Sequence, residues 1–374
     1  MNLKVLHIVY SLDPGGMENG ILNLARNLPP ERVTLEVCCL DKAGRMSARF
    51  PNPSRLHVLG KRHGFDLRTG WSLCKKIRET QPDILHTHNL GPLIYAILAK
   101  SMGAGVRILH GEHAELTRTD LGFRKRLQRK ILYRFCHRIH TVGLGMTRQI
   151  QALKLSKSSI LTLQNGVDVE KFRPCGEKDK LRRELLGVSG DAVVAGIFGR
   201  FGRYKRHNFV LDAFARLGGD FPNLHLLVVG GGGDHEQQVL RAIDAHPFSQ
   251  RIQAVGFHPD PLPYYQCLDL LLIPSVNEGL SNCALEAMAC GVPVLSNRSC
   301  GSEELIKDGE DGFLHKIGSI GDLENIISSL LDAGLLKLQT VGCHARAKAK
   351  AGFSLARMMH DYLQVYEDFA SKRG

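Results

Sequence analysis

Residues 268–296 read LDLLLIPSVNEGLSNCALEAMACGVPVLS. The stretch divides into an apolar run (270–273), a turn carrying Glu278-Gly279-Leu280-Ser281-Asn282, a helical segment and a second apolar run (292–295). An apolar run that delivers a carboxylate and a glycine to a helix N-terminus points to a phosphate or sugar pocket at the carboxyl edge of a parallel sheet.

Working outward, the same strand–helix alternation fills the chain. Apolar runs at 193–198, 224–229 and 252–255 precede the opening stretch, and 3–9, 33–40, 55–59, 83–86, 106–110, 139–142 and 160–163 come before those. Helix-like spacing separates them, as at Leu73 and Ile77. This predicts an α/β fold of two doubly wound, Rossmann-like domains facing across an interdomain cleft. The expected boundaries are 1–174 for the first domain, a polar linker at 175–191 and 192–352 for the second. Met358, Tyr362, Val365 and Phe369 space a terminal helix within 353–374, expected to pack back on the first domain.

Composition narrows the function. With 43% hydrophobic and 23% charged residues, the chain is an ordinary globular protein. Aromatics at 6%, with a single Trp, disfavour a base-stacking nucleic-acid platform. Its ten cysteines form no CxxC pair and read as reduced core residues. No apolar run reaches the roughly 18–20 residues a bilayer span requires, and 1–16 reads as a first strand and loop. The net charge of +12 is lopsided: residues 1–175 hold 28 Lys+Arg against 13 Asp+Glu, the rest 21 against 24. A basic half beside a slightly acidic one suggests two tasks, one involving an anionic surface.

Several residue groups are candidates for chemistry. Gly15-Gly16 follows the first strand and lets backbone approach a bulky ligand. Gly199-Arg200-Phe-Gly202-Arg-Tyr-Lys205 follows the strand at 193–198; Arg200 offers a fork and Lys205 a point charge to phosphate oxygens. The spacing is not that of a Walker loop, and Gly230 to Gly233 is not a GxGxxG fingerprint. Glu278 precedes the helix of the opening stretch and Glu286 lies along it. His86, His88, His110 and His113 follow two strands, but HTH…HGEH matches no closed zinc set, so no metal is expected. His110 is taken as a strand-edge residue facing a pocket. At 118–138, Phe123, Leu127, Ile131 and Phe135 recur every four residues among Arg124, Lys125, Arg126, Arg129, Lys130 and Arg134. This is either a core helix with a solvated basic face or a helix lying on anionic lipid, with Arg124, Lys125, Arg129 and Lys130 as the contact surface.

PSVNEGLSNCALEAMACGVPVL resembles the E-x7-E signature of retaining GT-B glycosyltransferases of family four. Gly15-Gly16, His110, NGVD at 165–168, GRFGRYK at 199–205 and VGF at 255–257 extend the resemblance along the chain. GGMEN and HGEH add a fainter likeness to bacterial exopolysaccharide sugar transferases. The resemblance implies that Arg200 and Lys205 hold a donor diphosphate, Glu278 the transferred sugar and Glu286 the donor ribose. It also implies backbone contacts from Gly279, Leu280 and Ser281, the nucleobase near Gly256, a sugar contact from His110, and Gly16 beside the diphosphate. Many relatives carry a Phe where Leu280 stands, so the sugar contacts are expected to differ here.

The resulting expectation is a hexosyl- or N-acetylhexosaminyl-transferase acting with retention, without metal or cofactor, since no DxD triplet occurs. Its partners would be a UDP- or GDP-sugar, a lipid-linked or glycan acceptor and an anionic membrane surface, with no nucleic acid. It would be cytoplasmic or peripheral on the inner membrane face. The alternatives are a GT-B nucleotide-sugar epimerase or hydrolase, and a non-enzymatic membrane-surface binding protein.

Overall fold

The computed structural model describes residues 2–371 apart from 118, 119, 189 and 277. The chain divides into two compact units, Met1–Asn165 with Ala356–Gly374, and Gly166–Leu355. The first unit holds β1 (Leu3–Val9), β2 (Val33–Cys39), β3 (Leu56–Val58), β4 (Ile84–His88), β5 (Arg107–Glu112), β6 (Arg138–Thr141) and β7 (Ile160–Thr162). They form one parallel sheet in the order β3-β2-β1-β4-β5-β6-β7. Its helices are α1 (Gly16–Asn27), α2 (Leu67–Thr80), α3 (Leu90–Ser101), α4 (Phe123–Leu132) and α5 (Leu144–Ala152).

The second unit opens with α6 (Lys178–Leu186). It continues with β8 (Val193–Phe198), α7 (His207–Leu217), β9 (Leu224–Val229), α8 (Glu236–Asp244), β10 (Ile252–Gly256) and α9 (Leu262–Gln266). Next come β11 (Leu270–Ile273), α10 (Asn282–Ala289), β12 (Val294–Asn297), α11 (Cys300–Leu305), β13 (Phe313–His315), α12 (Ile320–Asp332) and α13 (Leu335–Gly352). Its sheet is also parallel, in the order β10-β9-β8-β11-β12-β13. Every residue of β8 and of β11 is buried, which is why these strands read as unbroken apolar runs. The final helix, α14 (Leu355–Ser371), carries the chain back to the first unit and buries Met358, Tyr362, Tyr366 and Phe369 there.

In each sheet the strand order reverses once, between β1 and β4 and between β8 and β11. Loops leaving the carboxyl ends of such a pair diverge and open a crevice between them. The opening stretch supplies one side of the second crevice, the loop after β8 the other.

Two expectations change. Residues 175–191 are not a linker, because α6 lies there and Arg182 is buried against the second sheet. Its guanidinium bonds Asp269 and the carbonyls of Cys267 and Ala192, and Lys178 bonds the same Asp269. A polar, charged sequence looked like a tether because its cations serve one buried carboxylate. β4 and β5 also run further than expected, to His88 and Glu112, which draws His88 into the sheet.

Candidate functional site

The loop after β8 is fixed from below by glycines. Gly230 donates to the Gly256 carbonyl at 2.8 Å, and a Cβ on Gly230 would come within 1.9 Å of the Gly199 carbonyl oxygen. Gly199 and Gly230 both have φ near +140°, so neither position suits a side chain. Phe201 donates to the Gly232 carbonyl and His235 to the Phe201 carbonyl, lacing the two loops together. Lys205 then closes a short 3-10 turn, Arg203–Lys205, held by its own N–H on the Gly202 carbonyl.

Across the crevice, the turn after β11 is seated on α11. A Cβ on Gly301 would fall 1.6 Å from the Gly279 carbonyl oxygen, so only glycine allows this approach. Glu278, Gly279 and Ser281 line one side of a small pocket, and Gly301 and Ser302 of α11 line another. Leu280 is buried, so its side chain belongs to the core and a ligand could meet only its backbone.

These two loops bring Lys205 and Glu278 together as an ion pair. Burial works against the charged ammonium, but the Glu278 carboxylate outweighs it and raises the Lys205 pKa above the ordinary lysine value. Arg200 is exposed beside them, and its positive charge opposes that of Lys205. Two cations facing one carboxylate leave a positive excess at the mouth of the crevice, suited to a phosphate group. Cys283 sits against Ser281 at 3.1 Å; burial pushes its thiol up to about 11, so it is a neutral neighbour and not a nucleophile.

Glu286 occupies a separate position on α10. The Tyr265 hydroxyl bonds it, and burial together with that carboxylate pushes the Tyr265 pKa far up. Tyr265, which no sequence motif marked, also stacks on Phe198 at the end of β8, with ring centroids 4.1 Å apart. Gly256 ends β10 with φ +71°.

In the first unit, Gly16 is exposed at the start of α1, after Gly15 as N-cap. His110 is fully buried; its Nδ1 lies 2.9 Å from Thr87 Oγ1 and its Nε2 3.4 Å from Glu112. It therefore stands in a packed layer of this unit, not at an open strand edge.

The helix at 118–138 differs from the reading of a core helix with a solvated basic face. Arg118 lies outside the described residues. On α4 and the turn after it, the apolar stripe is the exposed face: Phe123 is 80% exposed and Leu127, Ile131 and Phe135 each more than 40%. Arg129, expected on the surface with Arg124, Lys125 and Lys130, is instead 6% exposed and paired with Glu112 (3.6 Å) and Asp120 (3.4 Å). Burial opposes its charge, but Glu112 and Asp120 raise its pKa above the usual arginine value. A helical period of four places the stripe on one side but does not say which side meets the core.

Comparison with known proteins gives this geometry a class. The fold is that of GT-B proteins: the Anabaena protein HepE in complex with UDP-glucose superposes with a TM-score of 0.84, at 20% identity over 98% of this chain and 100% of that one. A sucrose-phosphate synthase from Thermosynechococcus elongatus reaches 0.81 at 17% identity, covering 99% of both chains. Residues 14–171 match the family described as Glycosyltransferase Family 4, and residues 178–342 match Glycosyl transferases group 1. The chain is a family-four glycosyltransferase. Among curated relatives, an Escherichia coli UDP-Gal:alpha-D-GlcNAc-diphosphoundecaprenol alpha-1,3-galactosyltransferase is 24% identical, over 81% of this chain and 80% of its own. A Bacillus anthracis N-acetyl-alpha-D-glucosaminyl L-malate synthase is 26% identical over 81% of this chain and 79% of its own.

Proposed function

We propose that the chain transfers a hexose or N-acetylhexosamine from a UDP-sugar to a lipid-linked acceptor, retaining anomeric configuration and using no metal. The observation that carries this reading is the Lys205–Glu278 pair at the second switch point, with Arg200 beside it. Arg200 and Lys205 take the donor diphosphate and stabilise the negative charge that grows on it as the glycosidic bond breaks. Glu278, released from Lys205 by the incoming phosphate, receives hydroxyls of the transferred sugar. Backbone at Gly279, Leu280 and Ser281 lies alongside sugar and phosphate, the base lies near Gly256, and Glu286, oriented by Tyr265, takes the ribose. In the first unit, Gly16, exposed at the start of α1, is the candidate for contact with the diphosphate, and His110, buried against Thr87 and Glu112, could act only by positioning its strand.

The acceptor hydroxyl attacks the anomeric carbon on the face the diphosphate leaves. Its proton passes to a departing phosphate oxygen, so no enzymic nucleophile is required. Names of relatives favour UDP over GDP and a lipid diphosphate over a free glycan. No single helix among the described residues is long and apolar enough to cross a membrane. Access to a lipid acceptor would come through α4, whose exposed apolar stripe is flanked by Arg124, Lys125, Arg126 and Lys130, a pattern suited to anionic lipid headgroups at the inner membrane face.

The test is a melting-temperature panel of UDP-, GDP- and ADP-sugars, followed by turnover of the stabilising donor with a polyprenyl-diphosphate sugar. A selective UDP-sugar shift, transfer that added Mg2+ or Mn2+ does not accelerate, and an axial product linkage from an axial donor are expected. Consumption of donor at the same rate without acceptor would sink the reading.

A further inference from the structure

The first switch point holds a second cluster of unusual chemistry. Parallel pairing sets His7 of β1 directly beside His86 of β4, and His88 follows on the same face. One ring nitrogen from each of His7, His86 and His88 lies within 4.8 Å of the other two. His7 Nδ1 and His88 Nε2 are 2.8 Å apart, and the Tyr366 hydroxyl of α14 touches both His7 Nε2 (3.1 Å) and His86 Nδ1 (3.0 Å). All three imidazoles are at most 2% exposed.

The surroundings keep this space for imidazoles. His113 bonds His88, and His140 bonds His86, each at 2.8 Å. Gly111 lies between them on β5, where a Cβ would come 2.5 Å from His140 Nε2 and 3.0 Å from His113 Nε2. Packing alone would be served better by apolar side chains, because four buried imidazoles and the half-buried ring of His113 must all be matched.

We propose that His7, His86 and His88 form a transition-metal site in the first unit, a three-imidazole set for an ion of the zinc class with the Tyr366 oxygen next to it. Imidazole suits zinc, copper and nickel and disfavours magnesium and calcium. Tetrahedral ligation at about 2.05 Å sets ligand nitrogens about 3.3 Å apart, so the His7–His88 contact has to open by only a fraction of an ångström. His113 and His140 then orient the ligating rings through their second nitrogens or stand ready as a further ligand. The ion would tie β1 and β4 to α14. The sequence hid this set because His7 is 79 residues from His86, and HTH…HGEH invited a search within four histidines of which only His86 and His88 belong to it.

The site is separate from the transfer chemistry and can be tested without it. Untagged full-length protein is loaded with Co2+, separated from free ion and read by elemental analysis, visible absorption and melting temperature. One Co2+ per chain, displaced by Zn2+ but not Mg2+, is expected, with a raised melting temperature. His86→Gln and His88→Gln should abolish uptake, whereas His63→Gln and His360→Gln at exposed positions should leave it intact. Protein that retains no Co2+, or folded His88→Gln that retains it undiminished, overturns the site. Should both core variants unfold, X-ray absorption on the loaded wild type decides: three imidazoles around cobalt support the site and fewer overturn it.

Discussion

Lys205 and Glu278, 73 positions apart in sequence, hold each other across the carboxyl ends of β8 and β11. The pair fixes both loops of the second crevice in a set geometry before any ligand arrives. On the proposed function, a phosphate entering there would compete with Glu278 for Lys205, making donor binding and release of Glu278 toward the sugar one event.

That coupling makes the two residues non-additive. Lys205→Ala should lower kcat by about 10²–10³-fold, the usual scale for one donor to a developing anion. Glu278→Gln should cost a comparable amount, and the double variant little more than the worse single one, because both act as a unit. Steady-state rates of the four proteins check this, with circular dichroism confirming the fold. Additive losses would separate the two roles. The raised Lys205 pKa means the pair's stabilisation is fully present below the unfolded lysine pKa of about 10.4 and fades only as pH climbs through the higher folded value. Activity losses near neutral pH should therefore not come from this pair.

Gly301→Ala is a test of the seat under Glu278. The added methyl would overlap the Gly279 carbonyl and force the turn off α11. Gly301 has no side chain to remove, so the substitution reads only the effect of the added methyl on the turn. We expect at least a tenfold rise in donor KM with a fall in melting temperature of a few degrees, measured side by side with Gly321→Ala, which meets nothing within 4 Å.

How much of this was legible in the sequence depends on what each residue faces. β8 and β11 were readable to the residue because strands buried on both faces are unbroken apolar runs, and β1 and β9 because Lys4, His7 and His225 interrupt theirs only singly. The turn at 278–282 was readable because a glycine and polar residues interrupt such runs. What stayed hidden was long-range pairing. Nothing local says that Arg182 answers Asp269, that Arg129 answers Glu112, or that His7 stands beside His86. β13 at the sheet edge is three residues long and left no period to read.

Arg182 carries a consequence for the stretch that looked like a tether. Its guanidinium is 2% exposed and shares Asp269 with Lys178 and the Val194 N–H. Removing the cation leaves Asp269 buried without its main partner. Arg182→Ala should destabilise the second unit by about 3–5 kcal/mol. A tether would show no such loss, so urea unfolding of the variant, followed by tryptophan-independent circular dichroism, distinguishes the two.

The basic helix divides its arginines between two jobs, and substitutions should divide with them. Arg129→Ala breaks a buried pair with Glu112 and should lower stability by about 3–5 kcal/mol. Arg124→Glu with Lys125→Glu and Lys130→Glu alters exposed charges and should leave stability within about 0.5 kcal/mol. The same triple change should weaken sedimentation with vesicles of phosphatidylglycerol and phosphatidylcholine, by roughly tenfold or more given about 1 kcal/mol per basic residue near an anionic surface. Phe123→Ser, which removes the most exposed ring of the stripe, should weaken it further without dependence on salt, because the lost contribution is apolar burial. Vesicle binding unchanged in both variants would leave the exposed stripe without a lipid partner. Binding lost only in the charge variant would make α4 an electrostatic contact that does not insert.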